Sequence, residues 1–502
     1  MRTSGILMPI FSLPSPYGIG TLGKEAMGFV DFLKEAGQSY WQILPLGHTG
    51  FGDSPYQSFS SFAGNPYFID LDSLCDLGLL SEKELEPHIS SGDIDYARLY
   101  ETRYPLFRKA FSLFDCEDSE FREFCRKNEY WLEDYALFMA IKDSESGRCF
   151  HDWEPRLIRR EKAALEKKKK ELGGDILFYK ALQFWFFSQW KELKSYANRK
   201  GIKIIGDLPI YVSADSADVW ANPDEFQVGE DGKPKRVAGT PPDAFSETGQ
   251  LWGNPLYDWD KMKQNGYSWW KKRLTASAEL FDSVRIDHFR AFDEYYSIPA
   301  DSDTAAEGKW CKGPGIEFFD ALKKETQNIE IIAEDLGLLT DGVLKLLDDC
   351  GFPGMAVLQF AFSPDSDSRY LPHNIKNNTV VYTGTHDNNT ILGWFEQGNE
   401  EEIEYCKQYL RLTESEGYNW GMIKAALATP ADTCILCMQD FMGLSSSARI
   451  NTPSTNEGNW RWRIDGGCLN SWLAGIIYEN TNIYRRLPPI TVEPEPKANI
   501  TA

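Results

Sequence analysis

Long apolar runs are missing from this 502-residue sequence. Nowhere do the roughly 18 successive apolar residues needed to cross a bilayer occur, so no membrane-spanning helix is expected. The opening residues MRTSGILMPIFSLPSP hold one Arg and a short apolar run broken by Pro9, without the basic start, long apolar stretch and small-residue cleavage site of a secretory signal. Positive charge is also in short supply. Against 75 Asp+Glu stand 53 Lys+Arg, a formal net charge of −22, and a field of that sign repels phosphate backbones and anionic lipid headgroups. Neither nucleic acid nor a membrane surface is therefore expected as a partner.

Clustered metal ligands are lacking too. The ten cysteines (75, 116, 125, 149, 311, 350, 406, 434, 437 and 468) are scattered, unlike the dense framework of a small secreted domain, and a reducing, cytoplasmic setting is expected. Only Cys434 and Cys437 have metal-like spacing, and TCILC reads better as a buried strand than as half a zinc site. There is no H-x-H, no H-E-x-x-H, no 12-residue calcium loop and no P-loop, so neither metal nor cofactor is expected. Gly18, Gly20 and Gly23 match the dinucleotide spacing G-x-G-x-x-G, but SLPSPY precedes them where a strand should stand. SYWQ occupies the place of the acid that would hold a ribose. The glycines read instead as a tight turn or a close backbone approach.

Aromatic residues are plentiful: 30 Phe, 23 Tyr and 16 Trp suit either an aromatic core or a site that stacks on a partly polar ligand. The length corresponds to roughly three average domains or one large barrel with insertions. Seven short β-type runs decide for the barrel: 40–50, 201–212, 283–292, 329–337, 355–362, 379–389 and 432–440. They are nearly continuous apolar segments, as strands buried on both faces of a parallel sheet must be. Helical patterns lie between several of them, for example 178–201 with Gly201 as its C-terminal cap. Strand and helix alternate over most of the chain, which predicts an α/β fold, a (β/α)8 TIM barrel spanning 1–486 as a single catalytic unit.

Two stretches break the rhythm. Residues 75–175 are acidic and read as a helical insertion, ending near the Lys-rich stretch 159–172, a solvated helix face beside Glu161 and Glu166 rather than an anion site. Residues 213–260, rich in Pro, Gly, Trp and Asn, read as an ordered active-site loop insertion. The tail 487–502 is Pro-rich and is expected to be loosely held. No internal repeat is present.

Three acids stand at three strand ends within these runs: Asp287 in VRIDHFR, Glu334 in IIAEDLG and Asp387 in TGTHDNN. Singly, each reads as a capping or ion-pairing residue. Together they supply what glycoside cleavage needs, one carboxylate to attack or shield the sugar cation and a second carboxyl to protonate the leaving oxygen. Arg285 stands two residues before Asp287 and shares its face of the strand, where its cation keeps the carboxylate ionised. His288 and His386, beside two of the acids, are donors for sugar hydroxyls, and Asp207 in GDLPIYV adds a further acid at a strand end. His48 follows the strand of the first run.

These segments resemble the 4-α-glucanotransferases called amylomaltase or disproportionating enzyme, glycoside hydrolase family 77 of the α-amylase clan. The resemblance runs over residues 4–465, through SGILMPIFSLPSPYGIGTLG, DSPYQSFSSFAGNPYFIDLD, GDLPIYVSADSADVWANP, GQLWGNPLYDW, RIDHFRAF, AEDLG, THDNNT and GNWRWR. It implies a (β/α)8 barrel with inserted, largely helical subdomains and no separate C-terminal β-domain. It further implies Asp287 as nucleophile, Glu334 as general acid/base and Asp387 as transition-state stabiliser, supported by Arg285, His386 and Asp207. Tyr56 matches an aromatic that stacks on glucan, while Asp243, Trp252 and Asn254 fall in a covering loop. Asn451 in RINTP matches a sugar contact, with Asn456 as an alternative. Thr240 replaces the Val of the family's GVPPD, a departure without an evident consequence.

The implied reaction moves α-1,4-glucan segments from a maltooligosaccharide donor to the 4-OH of glucose or another glucan by retaining double displacement. Donors would be maltooligosaccharides or starch and glycogen fragments. The alternatives are an α-glucan hydrolase of the same clan and a catalytically silent glucan-binding protein.

Overall fold

Short aliphatic runs become eight parallel strands: β1 (Thr3–Leu7), β2 (Tyr40–Gln42), β3 (Lys203–Leu208), β4 (Ser283–Ile286), β5 (Glu330–Ala333), β6 (Gly354–Val357), β7 (Thr379–Tyr382) and β8 (Thr433–Cys437). They are seen in a computed structural model that describes residues 2–489 except 51, 243–246, 338 and 456. The order across the sheet is β6-β7-β8-β1-β2-β3-β4-β5. The two ends of the row approach each other, and the Ala333 amide donates to the Pro353 carbonyl at 2.9 Å, which brings the sheet nearly to closure as a barrel. Seven strands match the seven apolar runs.

The eighth, β1, is a finding of the structure. It lies between β2 and β8 and pairs with both, Gly5 standing opposite Tyr40 on one side and Ile435 on the other. Gly5 is the reason the segment reads weakly as a strand, and also the reason it fits. A Cβ there would lie 2.6 Å from the Tyr40 Cβ and 2.8 Å from the Ile435 Cδ1, so the barrel closes over a backbone without a side chain.

Alternate residues of the strands face inward. Leu7, Ile205, Ile332, Met355, Val357, Val380, Tyr382, Ile435 and Cys437 pack into one cluster inside the barrel. Cys434 belongs instead to the large outer core between strands and helices. The two cysteines thus serve opposite faces of β8 and cannot share a metal, in line with the buried-strand reading. Among the described residues no cluster of metal-ligating side chains is found and no helix is long and apolar enough to cross a membrane.

Behind the barrel, helix Gly173–Arg199 ends as its sequence suggests. The Gly201 amide donates to the Asn198 carbonyl at 3.0 Å and the Ile202 amide to that of Ala197 at 2.9 Å, with Gly201 at φ +81°. Gly20 and Gly23 are close approaches: a Cβ on Gly20 would strike the Ile10 carbonyl oxygen and one on Gly23 the Asp70 carboxylate.

Between β2 and β3 the chain builds helices, among them Tyr96–Leu113, Ser119–Lys127, Glu129–Ser144 and Lys162–Glu171. Lys169 approaches Glu166 at 3.3 Å within the Lys-rich stretch, while Lys168 reaches Glu145, at the end of helix Glu129–Ser144, at 3.7 Å. His48 joins these helices to the loop after β2, with Nδ1 2.8 Å from the Tyr135 hydroxyl and Nε2 3.0 Å from that of Tyr104. Burial pushes its imidazole down to about 3, so it is a neutral structural link.

The 213–260 region differs from the predicted loop. Strands Arg236–Thr240 and Gln250–Pro255 pair with each other, and the first also pairs with Glu294–Pro299, which in turn pairs with Lys309–Lys312. The segments after β3 and β4 thus share one four-stranded antiparallel sheet, so the insertions are not helical alone. Its pairing joins residues some 60 positions apart, such as Arg236 and Pro299, and local pattern does not encode such a contact.

Candidate active site

The carboxyl ends of β3, β4 and β5 place three acids side by side. Asp207 stands opposite Arg285, one pair before the β3–β4 ladder ends at Leu208–Ile286, and the ladder of β4 with β5 runs Arg285–Ile332, Ile286–Ala333. One step further come Asp287 and Glu334, where the Glu334 amide still donates to the Ile286 carbonyl at 3.0 Å. Their backbones are therefore neighbours at about the 4.8 Å spacing of paired strands. That proximity suits the separation of roughly 5–5.5 Å between carboxyls in glycosidases that retain anomeric configuration.

Arg285 is the hub. One guanidinium nitrogen donates to both oxygens of Asp207 at 2.8 Å, and the other donates to Asp287 Oδ1 at 2.8 Å. Its side chain is 4% exposed and that of Asp207 0%, against 28% for Asp287, so the cation is fixed from below while Asp287 opens into the cleft. Burial pushes the Asp207 carboxyl up, and Arg285 pulls it back.

Glu334 accepts two main-chain bonds, from the His288 amide to Oε2 at 2.7 Å and from the Leu336 amide to Oε1 at 2.8 Å. The first depends on His288 adopting φ +50°, a left-handed turn directly after Asp287 that aims its N–H at the neighbouring strand end. Desolvation raises the Glu334 carboxyl to about 7; Arg285 opposes the shift and Asp287 adds to it. The site thus holds a carboxylate bonded to a cation beside a carboxyl that keeps its proton near neutrality. Burial lowers the His288 imidazole to about 4, which leaves it neutral, and its ring meets the edge of Trp252 at 4.9 Å between centroids.

Across the cleft, the loop after β7 carries His386 and Asp387. Tyr56 OH donates to Asp207 Oδ2 at 2.7 Å and lies 2.8 Å from His386 Nε2. Since the Tyr56 proton goes to Asp207, the imidazole must supply the other, which fixes the proton on Nε2. The Tyr56 and His386 rings stack at 5.4 Å. Asp387 accepts from Asn451 Nδ2 at 2.6 Å through Oδ1, while its Oδ2 lies 3.4 Å from His386 Nε2.

The sequence matches the family described as 4-alpha-glucanotransferase, glycoside hydrolase 77, over residues 8–469. The chain belongs to the 4-alpha-glucanotransferase family. A 4-alpha-glucanotransferase of Clostridium butyricum is 50% identical over 486 residues, covering 95% of this chain and 100% of that one. The 4-alpha-glucanotransferase of Streptococcus pneumoniae is 47% identical over 495 residues, covering 97% and 98%. Among solved structures, amylomaltase from Streptococcus agalactiae in complex with acarbose superposes with a TM-score of 0.94 at 42% identity, covering 97% of this chain and 100% of that one. As a member of this family the protein is an enzyme whose activity is 4-α-glucanotransfer, acting on maltooligosaccharide-type glucans.

In this glucanotransferase Asp287, Glu334, Asp387, Arg285, Asp207, His288, His386, Tyr56 and Asn451 form one connected group. Trp252 stands on its flank. Asn254 is buried and spends its amide within the protein, donating to the Val212 carbonyl at 2.8 Å and accepting from Gln57 Nε2 at 3.0 Å. It anchors strand Gln250–Pro255. Asp243 and Asn456 lie outside the described residues.

Two residues that sequence reasoning passed over belong to the same group. Trp460 packs against Tyr56 and His386 at 5.9 and 6.1 Å, with φ +63°, an uncommon conformation for a bulky residue. Arg449 bonds to the loop that carries Asp387. The motifs GNWRWR and ARINTP contain them, but only the fold reveals which member of each faces the cleft.

Proposed function

We propose that Asp287 is the nucleophile, Glu334 the acid and then the base, and Asp387 the group that binds the hydroxyls of the transferred sugar. The observation that carries this assignment is the pairing of a cation-bound Asp287 with a Glu334 raised to about 7 on the adjacent strand end. Glu334 gives its proton to the glycosidic oxygen, and that bond breaks as Asp287 attacks the anomeric carbon. Arg285 holds Oδ1, so Oδ2 is the attacking atom, and a β-glucosyl ester forms while the reducing-end glucan departs. The Glu334 carboxylate then takes the proton of an acceptor 4-OH, whose oxygen displaces Asp287 and re-forms an α-1,4 bond. Asp387, held by Asn451 through Oδ1, offers Oδ2 to the sugar, while His386 spends its Nε2–H on Tyr56. Glucose and short glucans serve as acceptors, starch or glycogen fragments as donors, in a reducing cytoplasmic setting that suits ten free cysteines.

Maltotriose alone tests the scheme. Glucose together with maltopentaose and longer chains, at constant reducing-end count, is expected from the wild type. Asp287→Asn should lose about three orders of magnitude or more in rate with its fold intact. Near-wild-type turnover in that variant would remove Asp287 from the role.

A further inference from the structure

We propose that Arg449 is a positioning residue for the transfer reaction, fixing the Asp387 carboxylate through a closed ring of hydrogen bonds between two loops. The inference rests on the reading of Asp387 as the carboxylate that holds the transferred sugar. Asp387 comes from the loop after β7, whereas Arg449 and Asn451 come from the segment after β8. Arg449 Nη2 donates to the Asp387 carbonyl at 2.6 Å and its Nε to the Asn451 carbonyl at 2.7 Å. Asn451 Nδ2 then donates to Asp387 Oδ1 at 2.6 Å, which completes the ring. A further bond, from the Asn451 amide to the His386 carbonyl at 3.1 Å, doubles the seam.

The ring does two things. The guanidinium fork sets the backbone of Asp387 and the backbone of Asn451 at a fixed separation, which a planar group with several donors can do and a lysine ammonium cannot. With both backbones fixed, the Asn451 amide always reaches Oδ1, so Oδ2 is the oxygen left for substrate. Within the ring the guanidinium donates to carbonyls rather than to a carboxylate. Burial lowers its pKa, and the nearby Asp387 charge opposes that shift, consistent with a cation held close to the acid it orients. The guanidinium is not itself placed on the sugar, so its effect is transmitted through Asp387 and Asn451.

The test is a double-mutant cycle in maltotriose disproportionation. Arg449→Met is expected to lower kcat by about 10- to 100-fold with KM little changed, because a misplacement of ~1 Å in a reacting group can cost about 10²-fold. Arg449→Lys, which keeps one of the two bonds, should fall between Met and the wild type. Asn451→Ala should lower kcat similarly, and the double variant should be no slower than the slower single one, since either change opens the same ring. Multiplicative losses, or an Arg449→Met kcat within about twofold of wild type, would overturn the proposal. Should Arg449→Met fail to fold, the cycle of Arg449→Lys with Asn451→Ala is read by the same criterion. Asp387→Asn separates the two claims. If that variant stays active, the assignment of Asp387 itself is wrong; if it is inactive while Arg449→Met keeps a kcat within about twofold of wild type, only the positioning role fails.

Discussion

As the proposed general acid, Glu334 faces two demands that pull apart: keeping a proton at neutral pH and yet releasing it on contact with a glycosidic oxygen. Desolvation supplies the first by lifting its carboxyl from 4.5 to about 7, and two main-chain donors limit the shift so that the proton is not held too tightly. The pH dependence follows directly. With the acid form required for the first step, kcat/KM for the donor should fall as pH rises through about 7, read from initial rates between pH 5 and 9. Stability carries the matching sign. The folded pKa lies above the unfolded one, so the folded state binds a proton that the unfolded state lacks between pH 4.5 and about 7, and stability declines as pH rises across that window. Glu334→Gln has no proton to lose. It should abolish most activity while shrinking the drop in Tm between pH 5 and pH 8; an unchanged drop would mean that Glu334 does not titrate there.

Strands β3, β4 and β5 each contribute a residue to the site by ending where they do. In β3 and β4 the inward positions read Ile205–Asp207 and Ser283–Arg285, apolar or small below and charged at the top, so the same period of two that fills the barrel also delivers the ion pair. The loop after β7 is held at both ends by one buried acid: Asp440 accepts from the Thr383 hydroxyl and from the Ile391 amide, each at 2.8 Å. Strand β1 has the least sequence signal and the least room. Gly5→Ala would press a methyl group 2.6 Å from Tyr40 and 2.8 Å from Ile435, with strands hydrogen-bonded on both sides. The expected cost is about 1–3 kcal/mol, measured as a lower urea midpoint with an unchanged slope. A midpoint equal to that of the wild type would show that the barrel opens there at little cost.

The whole molecule must favour a sugar hydroxyl over water, which stands near 55 M. Effective molarities of well-placed groups reach ~10⁵ M or more, so positioning suffices if the acceptor is held and solvent is kept out. The antiparallel sheet assembled from the segments after β3 and β4 borders the site. Its strand Gln250–Pro255 sets Trp252 against His288, one residue from Asp287, and Asn254 ties the same strand to the barrel through Gln57 and Val212. Trp252→Ala removes the ring without touching the three acids. It should raise new reducing ends relative to transferred glucan several-fold at little change in Tm, measured by product chromatography with a reducing-end assay. An unaltered ratio would place the control over water elsewhere in the cleft.

Periodicity and motif fixed much of this protein. Runs of buried aliphatics fixed seven of the eight strands, and acids placed directly after such runs had to emerge at one end of a parallel barrel. Asp287, Glu334, Asp387, Arg285 and Asp207 were therefore legible, because each is tied to a strand by a few residues of chain. What tertiary structure decided depends on contacts between distant segments. β1 is a strand because β2 and β8 bracket it, although Gly5 weakens its local preference. The four-stranded sheet exists because Arg236 finds Pro299, and the ring of Arg449, Asn451 and Asp387 because two loops some 60 residues apart meet over the cleft. Burial decided the protonation of Glu334, a property of what surrounds the carboxyl rather than of its neighbours in the chain.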